Sequence, residues 1–260
     1  MSKTKWTLLV VVVIILVIPL FWMKDIRYEV APSEEVPYEV VSLYPHDSDA
    51  FTQGLVFHDG VLYEGTGLYG KSTLRTVELE KGETIRLHRL NPEYFGEGIT
   101  ILEGRVYQLT WKSGTGFIYN ASTLEPLDSF TYCGEGWGVT HNGSHLIMSN
   151  GSSILRFLDP STMSETRTLD VTYNGKPVTR LNELEHINGL VYANVWQTER
   201  IAIINTDSGQ VKEWLDMEEL KKLLDYQEGI DVPNGIAYDG NHVYVTGKLW
   251  PNLFEISLNK

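Results

Sequence analysis

The chain has 260 residues, 42% hydrophobic and 21% charged, a globular balance that argues against disorder, collagen and coiled coil. Its formal net charge of −13 leaves no broad basic surface to neutralise phosphates, so nucleic acid is not an expected partner. The single cysteine, Cys133, excludes an intrachain disulfide and a cysteine-rich zinc site. A lone cysteine is expected to be a buried small apolar residue, with a lone nucleophile as the alternative.

Residues Trp6 to Met23 carry no charge and are bounded by Lys3 and Lys5 on one side and Lys24, Asp25 and Arg27 on the other. As a helix the run spans about 27 Å, enough for the hydrocarbon core. It ends in Pro-Leu-Phe-Trp-Met rather than in small residues of the A-x-A type, so it reads as an uncleaved membrane anchor, with a cleaved signal peptide and a secreted product as the alternative. The nearly balanced flanks lean toward a cytoplasmic amino terminus and an extracytoplasmic main domain. The organisation expected is an anchor over 1–27, a linker over 28–37 with Pro32 and Pro37, and one domain over 38–260.

From Tyr38 onward the chain reads as strands. Between Gly98 and Tyr132 four β-rich runs (GITIL, VYQLTW, GFIYNA, LDSFTY) are separated by turn residues at Glu103-Gly104-Arg105, Lys112-Ser113-Gly114 and Ser122 to Pro126. The same order recurs in five units, whose first strands start at Gly54, Gly98, Gly138, Leu184 and Gly235, a spacing of roughly 40 to 50 residues that suits four-stranded propeller blades. One helix is expected, over Asp216 to Leu224, on the outside. The fifth unit has three strands, and an orphan strand, Tyr38 to Tyr44, precedes the first. The fold expected is therefore an all-β, five-bladed β-propeller, closed by the N-terminal strand completing the last blade, which removes an exposed edge.

Equivalent positions of a propeller converge on its channel. Just before the first strands stand Gln53, Glu97, Trp137, Glu183 and Asn234, and at the ends of the second strands stand Glu64, Trp111, Asn150, Trp196 and Lys248. Solvated turn residues would be ordinary there; tryptophans among amides, carboxylates and one lysine suit a small-ligand pocket instead.

FTQGL (Phe51–Leu55), FGEGI (Phe95–Ile99), LTW (Leu109–Trp111), GEGWG (Gly134–Gly138), LNELE (Leu181–Glu185), NVW (Asn194–Trp196) and GKLWP (Gly247–Pro251) resemble the plant-type glutaminyl-peptide cyclotransferases. The resemblance runs from Tyr44 to Leu258 with motifs in every blade. It implies a five-bladed propeller that converts N-terminal glutamine of peptides or proteins to pyroglutamate with loss of ammonia, without a cofactor. Such an intramolecular aminolysis needs a held rotamer, proton transfer and oxyanion stabilisation. The resemblance assigns the acid/base role to Glu97. It makes Gln53, Asn182 and Lys248 the polar contacts to substrate, and Phe51, Trp111, Trp137, Trp196 and Trp250 the apolar walls. Glu64, Glu135 and Glu183 are secondary carboxylates that would attract a cationic amino terminus.

The seven histidines show no metal-ligand spacing, and no catalytic metal is expected. Asn120, Asn142 and Asn150 begin sequons that turns already explain, and EGTGLYG (Glu64–Gly70) is a loop with no helix behind it. Two other classes stay open. One is a non-catalytic binding propeller. The other is a calcium-dependent lactonase-like hydrolase, for which Asn182, Glu183 and Asn234 could serve as channel ligands.

Overall fold

The computed structural model describes residues 35–258. The expected anchor over Trp6 to Met23 lies outside the described residues, among which no helix is long and apolar enough to cross a membrane. Strand β1 (Tyr38–Pro45) is followed by a first antiparallel meander of β2 (Thr52–His58), β3 (Val61–Thr66), β4 (Thr73–Glu78) and β5 (Glu83–Arg89). The second contains β6 (Gly96–Leu102), β7 (Arg105–Thr110), β8 (Thr115–Asn120) and β9 (Pro126–Thr131). The third contains β10 (Val139–His141), β11 (Leu146–Met148), β12 (Ile154–Leu158) and β13 (Glu165–Asp170). A two-stranded hairpin, β14 (Thr172–Tyr173) and β15 (Lys176–Pro177), precedes the fourth meander of β16 (Leu181–Ile187), β17 (Leu190–Val195), β18 (Arg200–Asn205) and β19 (Val211–Asp216). Helix α1 (Glu218–Lys222) leads to β20 (Pro233–Tyr238), β21 (Val243–Gly247) and β22 (Asn252–Leu258).

The fifth sheet has the order β1-β22-β21-β20. Its outer strand comes from the start of the domain, with Tyr38 opposite Leu258 and Pro45 opposite Asn252. Each innermost strand lies beside the next, and β20 returns to β2, so the five sheets form a ring of blades. Tight turns drive the meanders: Asp59-Gly60, Glu103-Gly104 and Asn188-Gly189 each place two successive residues at positive φ, the conformation that matches the strand twist across a short hairpin. Apolar side chains then pack between blades, as Tyr63 and Leu74 do against Ile99, Val106 and Tyr119.

The axis is crowded. A Cβ on Gly98 would lie 2.7 Å from the Gly138 Cα, and one on Gly54 would lie 2.4 Å from the Ile99 nitrogen. In the fourth blade this glycine position is held by Glu183, which is fully buried. Its carboxylate oxygens accept hydrogen bonds from the Leu55 N–H at 3.3 Å and the Ile236 N–H at 2.9 Å, tying three blades together.

Several local expectations are corrected. The helix is five residues long; Met217, Leu220 and Leu224 join the core, while Leu223 is exposed. Glu35 and Val36, assigned to the linker, lie against β19, where the Val36 N–H donates to the Trp214 carbonyl at 2.9 Å. Cys133 is exposed rather than buried, because it sits in the loop after β9, where only its carbonyl is engaged, by Arg156 Nη1.

Candidate active site

Four innermost strands begin with the same irregularity. One extra residue interrupts the pairing between Thr52 and Gly54, between Gly96 and Ile99, between Leu181 and Leu184, and between Pro233 and Ile236. Such a bulge re-aims side chains out of the ordinary alternation. It occurs where Gln53, Glu97, Asn182 and Asn234 stand, and Trp137 takes the corresponding place before β10.

A second set of residues follows the inner neighbour strands. Trp111, Trp196 and Lys248 each donate a backbone N–H to the residue two before the bulge: to Phe95 at 3.0 Å, Arg180 at 2.9 Å and Val232 at 3.0 Å. Gly67 makes the same bond to Phe51 at 2.8 Å.

Most of these positions, though not Asn234, Gly67 or Arg180, line a cavity of about 370 Å³. Gln53, Glu97, Asn182 and Lys248 are buried, whereas the aromatic rings of Phe51, Phe95, Trp111, Trp137 and Trp196 are partly exposed around them. Phe51 meets Phe95 edge to face at 6.1 Å, Phe95 meets Trp111 at 5.5 Å, and Trp137 meets Trp196 at 5.6 Å. Gln197, Asp231 and Val232 complete the lining.

The cavity is electrostatically tense. Burial pushes the Glu97 carboxyl well above the ordinary carboxylate range and Glu135 adds to the rise, while Lys248 and a hydrogen bond from Gln53 pull it back. Burial pushes the Lys248 ammonium down, against the opposing charges of Glu97 and Asp231. Lys248 Nζ lies 4.7 Å from the centre of the Phe51 ring. Asn182 lines the cavity, and its Oδ1 is buried without a hydrogen-bond partner. A buried acceptor left open in this way costs free energy until something supplies a donor.

The sequence matches the family described as glutamine cyclotransferase over residues 12–258. The chain belongs to the glutamine cyclotransferase family. It is 44% identical over 228 residues to a glutaminyl-peptide cyclotransferase of Arabidopsis thaliana, an alignment covering 85% of this chain and 71% of the relative. It is also similar to the crystal structure of Myxococcus xanthus glutaminyl cyclase, with a TM-score of 0.81 and 34% identity, covering 88% of this chain and 100% of that one.

Of the residues expected at a substrate pocket, Phe51, Gln53, Glu97, Trp111, Trp137, Asn182, Trp196 and Lys248 line this cavity together. Glu64 does not. Strand β3 continues past it to Thr66, so the first-blade counterpart of Trp111 is Gly67, where a Cβ would lie 2.5 Å from the Phe95 ring. Glu64 instead accepts from Arg75 Nε and Nη2 at 2.9 and 2.7 Å and from Thr52 Oγ1 at 2.7 Å, and its Oε1 lies 3.0 Å from His46 Nε2. Trp250 is a core residue, fully buried against Gly247 and Phe254, with Nε1 donating to the Asp231 carbonyl. The ring member in the fourth blade is Asn182 rather than Glu183, one residue earlier than the repeat suggested. Asn150 serves a turn, with Oδ1 accepting from Ser152.

Phe95, Gln197, Asp231 and Val232 line the pocket without having been expected there. Phe95 and Val232 were findable, since each stands two residues before its bulge residue as Phe51 does before Gln53. Gln197 and Asp231 carry no such signal.

Proposed function

We propose that this pocket cyclises the N-terminal glutamine of peptides or proteins to pyroglutamate, with Glu97 moving the protons. One observation carries it: a carboxyl group buried at 4% exposure and pushed up in pKa stands among amides and a lysine within an aromatic pocket. The α-amine nitrogen attacks the γ-carboxamide carbon, a C–N bond forms, and the bond to the leaving nitrogen breaks. Glu97 takes a proton from the attacking amine and returns it to that leaving nitrogen, so one carboxyl serves both steps and ammonia departs. A carboxyl with a raised pKa suits this exchange, because its proton affinity approaches that of the groups it serves.

The other groups follow from their chemistry. Lys248 brings positive charge for the developing oxyanion. Asn182 at the lining is placed to contact the substrate amide, and Gln53 favours the charged form of Glu97. The tryptophan and phenylalanine rings confine the glutamine methylenes and exclude water. Asp231 at the lining and Glu135 nearby add negative charge that favours a cationic amino terminus. Glu183 does not fit the calcium-hydrolase alternative, since both its oxygens already accept backbone donors.

The reading extends to the whole chain: an N-terminal membrane anchor or signal segment over 1–27, a short linker, and an extracytoplasmic catalytic propeller latched by β1. The direct test is to incubate the full chain with a Gln-initiated dipeptide and measure ammonia and pyroglutamyl product. Equal release of both, unaffected by a chelator, is expected. Absence of both would leave a non-catalytic binding propeller.

A further inference from the structure

One carboxylate oxygen holds two walls of the pocket. Glu135 Oε2 accepts hydrogen bonds from Trp111 Nε1 at 2.8 Å and from Trp137 Nε1 at 2.9 Å. Trp111 follows β7 in the second blade and Trp137 precedes β10 in the third, so the two bonds bridge adjacent blades. The backbone repeats the link, with the Gly136 N–H donating to the Trp111 carbonyl at 3.0 Å.

Each indole is confined on another side as well. Trp137 lies against Gly151, where a Cβ would come within 2.7 Å of the ring, and Lys112 Nζ sits 3.9 Å above the centre of Trp111. An indole N–H can only donate, and a partly buried one needs an acceptor. A carboxylate oxygen can serve both donors at once, and its charge strengthens each bond. Glu135 is absent from the cavity lining and its side chain is 39% exposed, so apart from its charge it bears on the substrate through the tryptophans.

We propose that Glu135 is a positioning residue that sets the width of the pocket mouth by locking Trp111 and Trp137 in the orientations that confine the glutamine side chain. The catalytic consequence rests on the cyclotransferase reading of the pocket; the clamp itself does not. Each variant is made in the full chain. Glu135→Leu removes both acceptors, whereas Glu135→Gln keeps an amide oxygen and loses only the charge. For a Gln-initiated dipeptide, Glu135→Leu should raise KM roughly tenfold with a smaller change in kcat, as expected for two lost hydrogen bonds to a substrate-confining wall. The near-UV circular dichroism of the tryptophans should change with it. Glu135→Gln should restore most of both, and both variants should melt close to the wild type.

Two results would overturn the clamp: a Glu135→Leu enzyme with kinetics and tryptophan spectrum matching the wild type, or a Glu135→Gln enzyme as impaired as the leucine variant, which would assign the effect to charge. If the wild type releases no ammonia, the cyclotransferase reading falls, while the tryptophan spectrum still decides whether Glu135 orders the indoles.

Discussion

Asn234 Nδ2 lies 3.2 Å from Gln53 Oε1 and also donates to the Thr52 carbonyl at 3.0 Å. This buried contact decides which end of the Gln53 amide is available to Glu97. With its oxygen facing Asn234, Gln53 has its NH₂ left for the Glu97 carboxyl, whose charged form it favours. Two adjacent blades thereby bear on the titration of a group in a third.

Replacing Asn234 by Asp should reverse that orientation. An aspartate cannot donate to Gln53, so the amide would turn its NH₂ toward position 234 and its oxygen toward Glu97. The expected outcome is a loss in kcat/KM of roughly tenfold or more, with the acid side of the pH profile displaced upward. Steady-state kinetics on a Gln-initiated dipeptide checks both. Unchanged kinetics would mean that Gln53 does not act on Glu97.

Glu64 makes the opposite case, a carboxylate whose role is structural. Burial opposes its charge, yet Arg75 and His46 outweigh that and hold the carboxyl below the usual carboxylate range. Its contribution to stability is therefore present above the unfolded carboxylate pKa and lost as the pH falls through the folded one. Removing one partner of such a buried pair costs about 3–5 kcal/mol. Glu64→Gln should lower the melting temperature near neutral pH by many degrees, narrow the gap to the wild type in acid, and leave the KM of the surviving folded enzyme close to normal. Calorimetry across pH and kinetics together check it, and a raised KM with normal melting would return Glu64 to the pocket.

Much of this architecture was legible because turns and alternation repeat in every blade, and the repeat alone located the bulge residues Gln53, Glu97 and Asn234, together with Trp137 at the corresponding place. It failed by one residue in the fourth blade for a physical reason. There the glycine that marks the axis in the other blades is replaced by Glu183, which bridges blades through its carboxylate, so the landmark used for alignment is missing. Glu64 was misplaced because EGTG reads as a turn, although β3 runs to Thr66. The short β14–β15 hairpin and the Glu135 clamp were invisible, since neither follows from local pattern and the clamp forms only when two blades meet.

Lys248 should control where Glu97 titrates. It pulls the Glu97 carboxyl downward against burial and Glu135. In the proposed role Glu97 must be ionised to accept a proton, so kcat/KM is expected to fall on the acid side through its pKa. Lys248→Met removes the attraction and should move that fall to higher pH, in addition to reducing the rate. A pH profile of ammonia release checks the direction. A fall at the same or lower pH would separate Lys248 from Glu97.

Deleting Tyr38 to Tyr44 should cost far more stability than trimming a tail. The segment pairs with β22 along its length, and the Tyr44 hydroxyl donates to Glu255 Oε2 at 2.7 Å. Several hydrogen bonds of about 0.5–1.5 kcal/mol each are at stake against a typical total of about 5–15 kcal/mol. Aggregation or a steep fall in melting temperature is expected. Melting within a degree or two of the intact chain would show that β1 contributes nothing to the ring.

The most direct measurement compares the wild type with Glu97→Gln, following ammonia and pyroglutamyl product from the same Gln-initiated dipeptide. The isostere keeps the volume of the side chain but cannot exchange protons. The variant should fold and melt like the wild type and turn over slower by roughly two to four orders of magnitude, the range for loss of a general acid/base. Turnover near the wild-type rate would contradict the assignment of proton transfer to Glu97.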